Sequence, residues 1–283
     1  MSCSLDYPVF PQSMLDTLFE YILLDDVPHL EASLDETIVR ANYTDNEIDA
    51  CYRICWQLLK RGVHFRQFRS LILGLAIKGR ATKEERLLFK YARARFKHMR
   101  FACNNFDRRH RQPRLFHMII RSMGKMQDGF NNGQRFAAFR HGIFLWVALS
   151  PFIYPVIEKE IKDFRADSSD GIKAFHQGEI RKLKTALADQ GDISAHDFHL
   201  LRKIFSRWVS FNDTLRTIRP SDALNQFSAY LATLNGIMGD RHDDYIEKKF
   251  IDKKGYYKDK IELPADLLGR IHVFLEEEGK VAS

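Results

Sequence analysis

Six cations share one face of a predicted helix: Lys83, Arg86, Lys90, Arg93, Lys97 and Arg100, spaced three and four residues apart. At helical pitch they fall within a sector of roughly 100°. Beyond Glu84 and Glu85 in the first turn, the next acid is Asp107. Like charges at these spacings repel by about 0.2–0.5 kcal/mol per pair, a standing cost that an anion would relieve. The other positions include Leu87, Leu88, Tyr91, Ala92, Phe96, Met99 and Phe101. The helix is therefore expected to press apolar sides into a bundle and aim its cations at a groove or pore.

A second basic stripe lies at Ala195–Trp208. His196, His199, Arg202, Lys203, Ser206 and Arg207 share one face, with Phe198, Leu201, Phe205 and Trp208 on the other. Arg and Lys offer charge-assisted bonds to phosphate oxygens, Arg bidentately, and His adds a donor whose charge depends on pH. Two other chemistries compete with anion binding. The dyads His196-Asp197 and His242-Asp243 would suit an HD-type metal-dependent phosphohydrolase. Such a site needs several His and Asp to converge, and no spacing marks His141, His176 or His272 as the partner. The loop Arg108-Arg109-His110-Arg111-Gln112-Pro113-Arg114, flanked by Phe106 and Phe116, would suit RNA through phosphate contacts and stacking.

The elements that must position these residues read as helices throughout. The 283 residues include only eight Pro, and apolar residues recur at helical spacing. Helices are predicted over 12–24, 46–61, 64–77, from the Thr82 capping box to Asn104, then over 115–126, 134–149, 156–164, 171–188, 194–217, 221–250 and 265–278. Gly129–Gly133 is expected to break the chain, and Asp252–Leu263 to be a loop. Charge is unevenly spread. Residues 1–50 hold eleven acids and one base, 51–140 hold 22 bases and four acids, and 141–283 hold 21 bases and 22 acids. The basic middle third points to a polyanion. The acidic first 50 residues are expected either to be a solvated helix pair or to lie over the basic groove and compete with its ligand.

No uncharged run reaches 18 residues, so no membrane span is expected. The first residues do not read as a secretory leader, which points to a cytoplasmic protein. Cys3, Cys51, Cys55 and Cys103 lack zinc spacing and are expected to be reduced core thiols. No metal or other cofactor is expected. A short internal repeat aligns Met123, Gly124, Asp128 and Phe130 with Met238, Gly239, Asp243 and Tyr245, at an offset of 115. Upstream, Lys90-x-x-Arg93 aligns with His199-x-x-Arg202 at an offset of 109. Asp128 and Asp243 are expected to be structural, and Gly124 and Gly239 to permit close helix contact.

His199-x-x-Arg202-Lys203, followed by Leu234-Asn235-Gly236-Ile237-Met238-Gly239-Asp240-Arg241-His242-Asp243, resembles the second half of a CHAD (conserved histidine α-helical) domain. Arg93-x-x-x-Lys97-His98-Met99-Arg100, with Met123-Gly124-Lys125-Met126-Gln127-Asp128, resembles the first half. The resemblance covers about residues 83–250. Lys90 stands where the first-half histidine is expected, Ser206 where a basic residue is, and Met123 and Met238 where the family has Leu. It implies an all-α fold of two pseudo-symmetric antiparallel helical bundles around a basic channel, with halves at about 81–165 and 171–283. Residues 1–80 would then be an N-terminal helical extension. It also implies non-catalytic binding of inorganic polyphosphate by Lys90, Arg93, Lys97, Arg100, His199, Arg202, Lys203 and Arg207. Lys83, Arg86, His98, Arg121, Lys125 and His196 would extend that site.

Overall fold

The computed structural model describes residues 4–34, 43–188, 192–251 and 260–281. Helices dominate it: α1 (Gln12–Leu23), α2 (Asp45–Gly62), α3 (Phe65–Lys78), α4 (Lys83–Asn105), α5 (Arg114–Asn131) and α6 (Arg135–Ala148). These are followed by α7 (Tyr154–Lys162), α8 (Ser169–Ala186), α9 (Ala195–Ile218), α10 (Asp222–Ile251) and α11 (Ala265–Val281). No helix of the described residues is long and apolar enough to cross a membrane. Part of the expected polar loop is ordered differently. Two-residue strands β1 (Asp192–Ile193) and β2 (Ile261–Glu262) pair antiparallel, Ile193 opposite Ile261; residues 252–259 lie outside the described part.

The chain divides into two compact units. One holds residues 4–19 and 49–167; the other holds the described parts of 20–48 and 168–283. Residues 1–80 therefore do not form the separate extension expected of them. Their described parts are shared between the two units, and α1 and α2 each begin in one and end in the other.

In the first unit α5 packs on α4, α6 and α7, and α3 packs on α4 and α6. Phenylalanine rings fill the space between them. Phe68 meets Phe89 and Phe96, Phe96 stacks on Phe116, and Phe89 meets Phe130 edge-on at 5.3 Å. Residues 4–10 run along α2, where Arg53 Nη1 donates to the carbonyls of Ser4 and Tyr7 at 2.7 and 2.9 Å. Gln57 donates to the Pro8 carbonyl and accepts from Phe10 N–H. Cys51, Cys55 and Cys103 are buried thiols, none in a disulfide.

Gly129 does not end α5, contrary to expectation. A Cβ there would lie 2.7 Å from the Ala138 nitrogen, so this glycine admits the close approach of α6, and α5 runs on to Asn131. The break comes at Gly133, where φ is +69°, a conformation that favours glycine.

In the second unit α9 packs on α8 and α10, and α11 on α8 and α10. Phe205, Trp208, Phe227 and Phe274 pack ring to ring at its centre.

Candidate functional site

The N-terminus of α4 sets the phase of the basic ladder. Thr82 Oγ1 accepts from Glu85 N–H at 3.2 Å, and Glu85 Oε2 accepts from Thr82 N–H at 3.0 Å. This reciprocal box starts the helix at Lys83. Phe89, Ala92, Phe96 and Met99 are then turned into the core. Lys83, Arg86 and Lys90 are exposed, while Arg93, Lys97 and Arg100 are half-buried. The outermost apolar residues, Leu87 and Leu88, are exposed rather than packed.

Arg93 holds the most constrained position of the ladder. Its Nη1 donates to Gln127 Oε1 of α5 at 3.3 Å. Its Nε is buried with no hydrogen-bond acceptor. Desolvation lowers its pKa, and the Asp128 carboxylate opposes that shift. A Cβ on Gly124 would lie 3.3 Å from Arg93 Nη2, so the glycine leaves room for the guanidinium. Further along, Lys97 and Arg100 both lie over the Phe101 ring, at 5.6 and 4.8 Å from its centroid. Arg95, off the stripe, covers the Phe19 ring at 3.4 Å.

His98 is not part of the face. It is 3% exposed, and burial, with Lys97 nearby, pushes its pKa down to about 3. It is thus a neutral core residue. Arg121 and Lys125 are exposed on α5 and, with Arg140, help depress the pKa of His141 on α6, after desolvation as the main cause.

On α9, the cap is Ser194, whose Oγ accepts from Asp197 N–H at 3.1 Å. His196, His199 and Lys203 are exposed, and Arg202 is half-buried. A Cβ on Gly239 of α10 would lie 3.7 Å from Arg202 Nη2. Arg202 and Gly239 are the repeat counterparts of Arg93 and Gly124, so each unit sets a half-buried arginine beside a glycine on the neighbouring helix. The sequence repeat pointed to these glycines as helix-contact positions; the structure makes the contact one with a guanidinium.

Arg207 is occupied otherwise than expected. It donates through Nη2 to Glu179 Oε2 of α8, whose side chain is 1% exposed. Lys182 binds the other oxygen at 2.9 Å. Ser206 Oγ donates to Asn235 Oδ1 at 2.7 Å in a buried pair. Asn235 and Gly236, read as part of the ligand motif, hold the 25–29 segment instead. Asn235 Nδ2 donates to the Asp25 carbonyl at 2.8 Å, and a Cβ on Gly236 would sit 2.3 Å from the Asp26 oxygen.

These contacts also change the reading of the acidic first 50 residues. His29 N–H donates to Thr233 Oγ1 at 2.8 Å, and Arg270 donates to the Ala32 carbonyl at 2.9 Å. The described segment is thus docked on α10 and α11. Several of its neighbouring acids pair locally: Asp6 with Lys60, Asp49 with Arg53, and Glu47 with Arg219.

In the basic loop, Arg109 binds Asp107 through Nε and Nη2 at 2.7 and 2.6 Å and Asp163 at 3.0 Å. His110 lies between the Asn104 carbonyl and Asp167. Phe106 and Phe116 are fully buried, not stacking platforms. Arg111 and Arg114, with Cys103, Glu160 and Asp163, line a cavity of about 630 Å³. Glu160 Oε2 accepts from the Leu115 and Phe116 N–H groups at 2.9 and 3.2 Å, capping α5 from α7.

Among the described residues no three metal-ligating side chains converge. His176 is stacked on Trp208 at 4.2 Å, and the side chains of His242 and Asp243 lie outside the described residues.

Comparison with known proteins returns no family model, curated protein or solved structure that matches this chain.

Proposed function

We propose that this chain binds a linear polyanion of the inorganic polyphosphate class, along Lys83–Arg100 of α4 and along His199, Arg202 and Lys203 of α9. No bond-making step is assigned to it. The observation that carries the reading is Arg93. A half-buried guanidinium with an acceptor-less Nε, at the end of an exposed run of Lys83, Arg86 and Lys90, is poorly satisfied by its own unit. An unsatisfied buried donor costs roughly 1–3 kcal/mol, and a phosphate oxygen would supply the acceptor. A polymer with one charge per repeating unit suits a ladder rising one helical turn per cation. The recurrence of the arginine–glycine contact at Arg202 and Gly239 supports a second face of the same kind. The resemblance to CHAD domains implies one channel for both faces; the proposal needs only that each face meets phosphate.

The test is a titration of labelled polyphosphate at two salt concentrations, with RNA as competitor. Replacing Lys83, Arg86 and Lys90 by Ala is expected to weaken binding and to reduce the salt slope by about two to three. Unchanged affinity and slope would remove α4 from the site. RNA that outcompetes polyphosphate per phosphate would make nucleic acid the ligand.

A further inference from the structure

The sixth helix poses a packing problem that polyanion binding leaves untouched. Arg135–Ala148 is apolar on nearly every side, a pattern normally found in helices that are covered all round. Only one side is covered. Ala138, Gly142, Leu145 and Ala148 are buried against α3 and α5, where a Cβ on Gly142 would lie 2.5 Å from Ala76 Cβ. The outer side carries Phe136, Phe139, Phe144 and Trp146, and the turn that follows adds Phe152 and Val156. Phe136 is 77% exposed and Phe152 is 89% exposed. Scattered exposed apolar residues are ordinary, but a contiguous aromatic face marks an interaction surface.

The charge around this face says what it meets. Arg140 lies between Phe136 and Phe144, four residues from each, so the three are neighbours on the helix surface. Arg135 is exposed beside them. Arg69 of α3 lies over the Trp146 ring, 4.8 Å from its centroid, and donates to the Trp146 carbonyl at 3.0 Å. Arg121, Lys125 and Arg140 converge on His141. From Arg114 to Ala148 the only acid is Asp128. A second copy of the same face would bring like charges together. Aromatic rings projecting among Arg and Lys are instead the composition of a helix lying in the headgroup region of an anionic bilayer.

We propose that the outer face of α6 and the Phe152 turn dock peripherally on an anionic membrane surface. The rings enter the headgroup–acyl boundary, and Arg135, Arg140 and Arg69 meet lipid phosphates. The full chain is tested by co-sedimentation with phosphatidylcholine vesicles and with equimolar phosphatidylcholine–phosphatidylserine vesicles. Trp146 emission is the second readout, since Trp56 and Trp208 are buried. Binding is expected only to the mixed vesicles, with a blue shift abolished by Trp146→Phe. Arg135→Ala with Arg140→Ala should weaken partitioning roughly 30-fold, at about 1 kcal/mol per cation near the surface. Phe136→Ser with Phe152→Ser should also weaken it while leaving polyphosphate affinity unchanged. Absence of vesicle binding would overturn the proposal. So would equal binding to both vesicle types, concentration-dependent self-association abolished by Phe136→Ser, or vesicle binding lost only on replacing Lys83, Arg86 and Lys90.

Discussion

Replacing Arg207 by Ala separates a structural role from a ligand-binding one. Glu179 is 1% exposed, and its carboxylate is neutralised by Arg207 on one oxygen and Lys182 on the other. Removing one partner of a buried pair typically costs 3–5 kcal/mol, because a charge stays behind without compensation. Lys182 remains in place, and its side chain is 57% exposed, so the lower end, about 3 kcal/mol, applies. For a unit of this size that lowers Tm by roughly 6–12 °C. The assay is thermal and urea unfolding followed by circular dichroism, alongside polyphosphate binding under conditions where the variant is folded. Glu179→Gln keeps Arg207 and removes the buried charge, so it should cost less. The double variant should recover part of the Arg207→Ala loss, which a double-mutant cycle reads directly. An unchanged Tm with a large loss of polyanion affinity would refute the reasoning and return Arg207 to the site.

Gly124→Leu should crowd the Arg93 guanidinium and lower polyphosphate affinity several-fold in the same titration; an unchanged affinity would mean that Arg93 is not a contact. Gly142→Ala, whose Cβ would meet Ala76 Cβ at 2.5 Å, should destabilise by about 1–3 kcal/mol, whereas Gly74→Ala, with open space, should stabilise by about 0.5–1 kcal/mol. Chemical denaturation distinguishes the two. Burial raises the Asp213 carboxyl from 3.8 to about 7, opposed by Arg216 and by a hydrogen bond from Ser228. A folded-state value above the unfolded one means stability that is full below about pH 3.8 and is lost as pH rises through about 7. Asp213→Asn, uncharged throughout, should flatten this part of the stability–pH curve between those limits. A parallel curve would show that Asp213 does not titrate there.

Helix positions were legible because their signals are local. The Thr82–Glu85 box, the periodic apolar residues and Gly79 at the end of α3, with φ +66°, act within a turn of where they stand. The basic ladder of α4 was legible for the same reason, being a property of one helix. What escaped was set by distant partners. Arg207 reads as one more cation until Glu179, 28 residues upstream, is brought beside it. Asn235 and Gly236 read as a ligand motif until the Asp25–Asp26 backbone fills the space above them. His98 reads as a ladder neighbour until the packing of its helix removes it from water. Gly129 reads as a breaker because the approach of Ala138 has no signature at its own position.

The docked segment near residue 30 has a consequence for synthesis. His29 bonds Thr233, 204 residues later in the chain. At about 5–20 residues per second, ribosomes deliver that partner roughly 10–40 s after His29 itself. Over the same interval every residue of the first unit, through 167, is made. The segment at 20–34 must therefore wait as an unsatisfied strap while its flanking sequences are already able to fold. The last event in maturation is then its closure onto α10 and α11, which makes the C-terminal third of the chain the clasp of the N-terminal one.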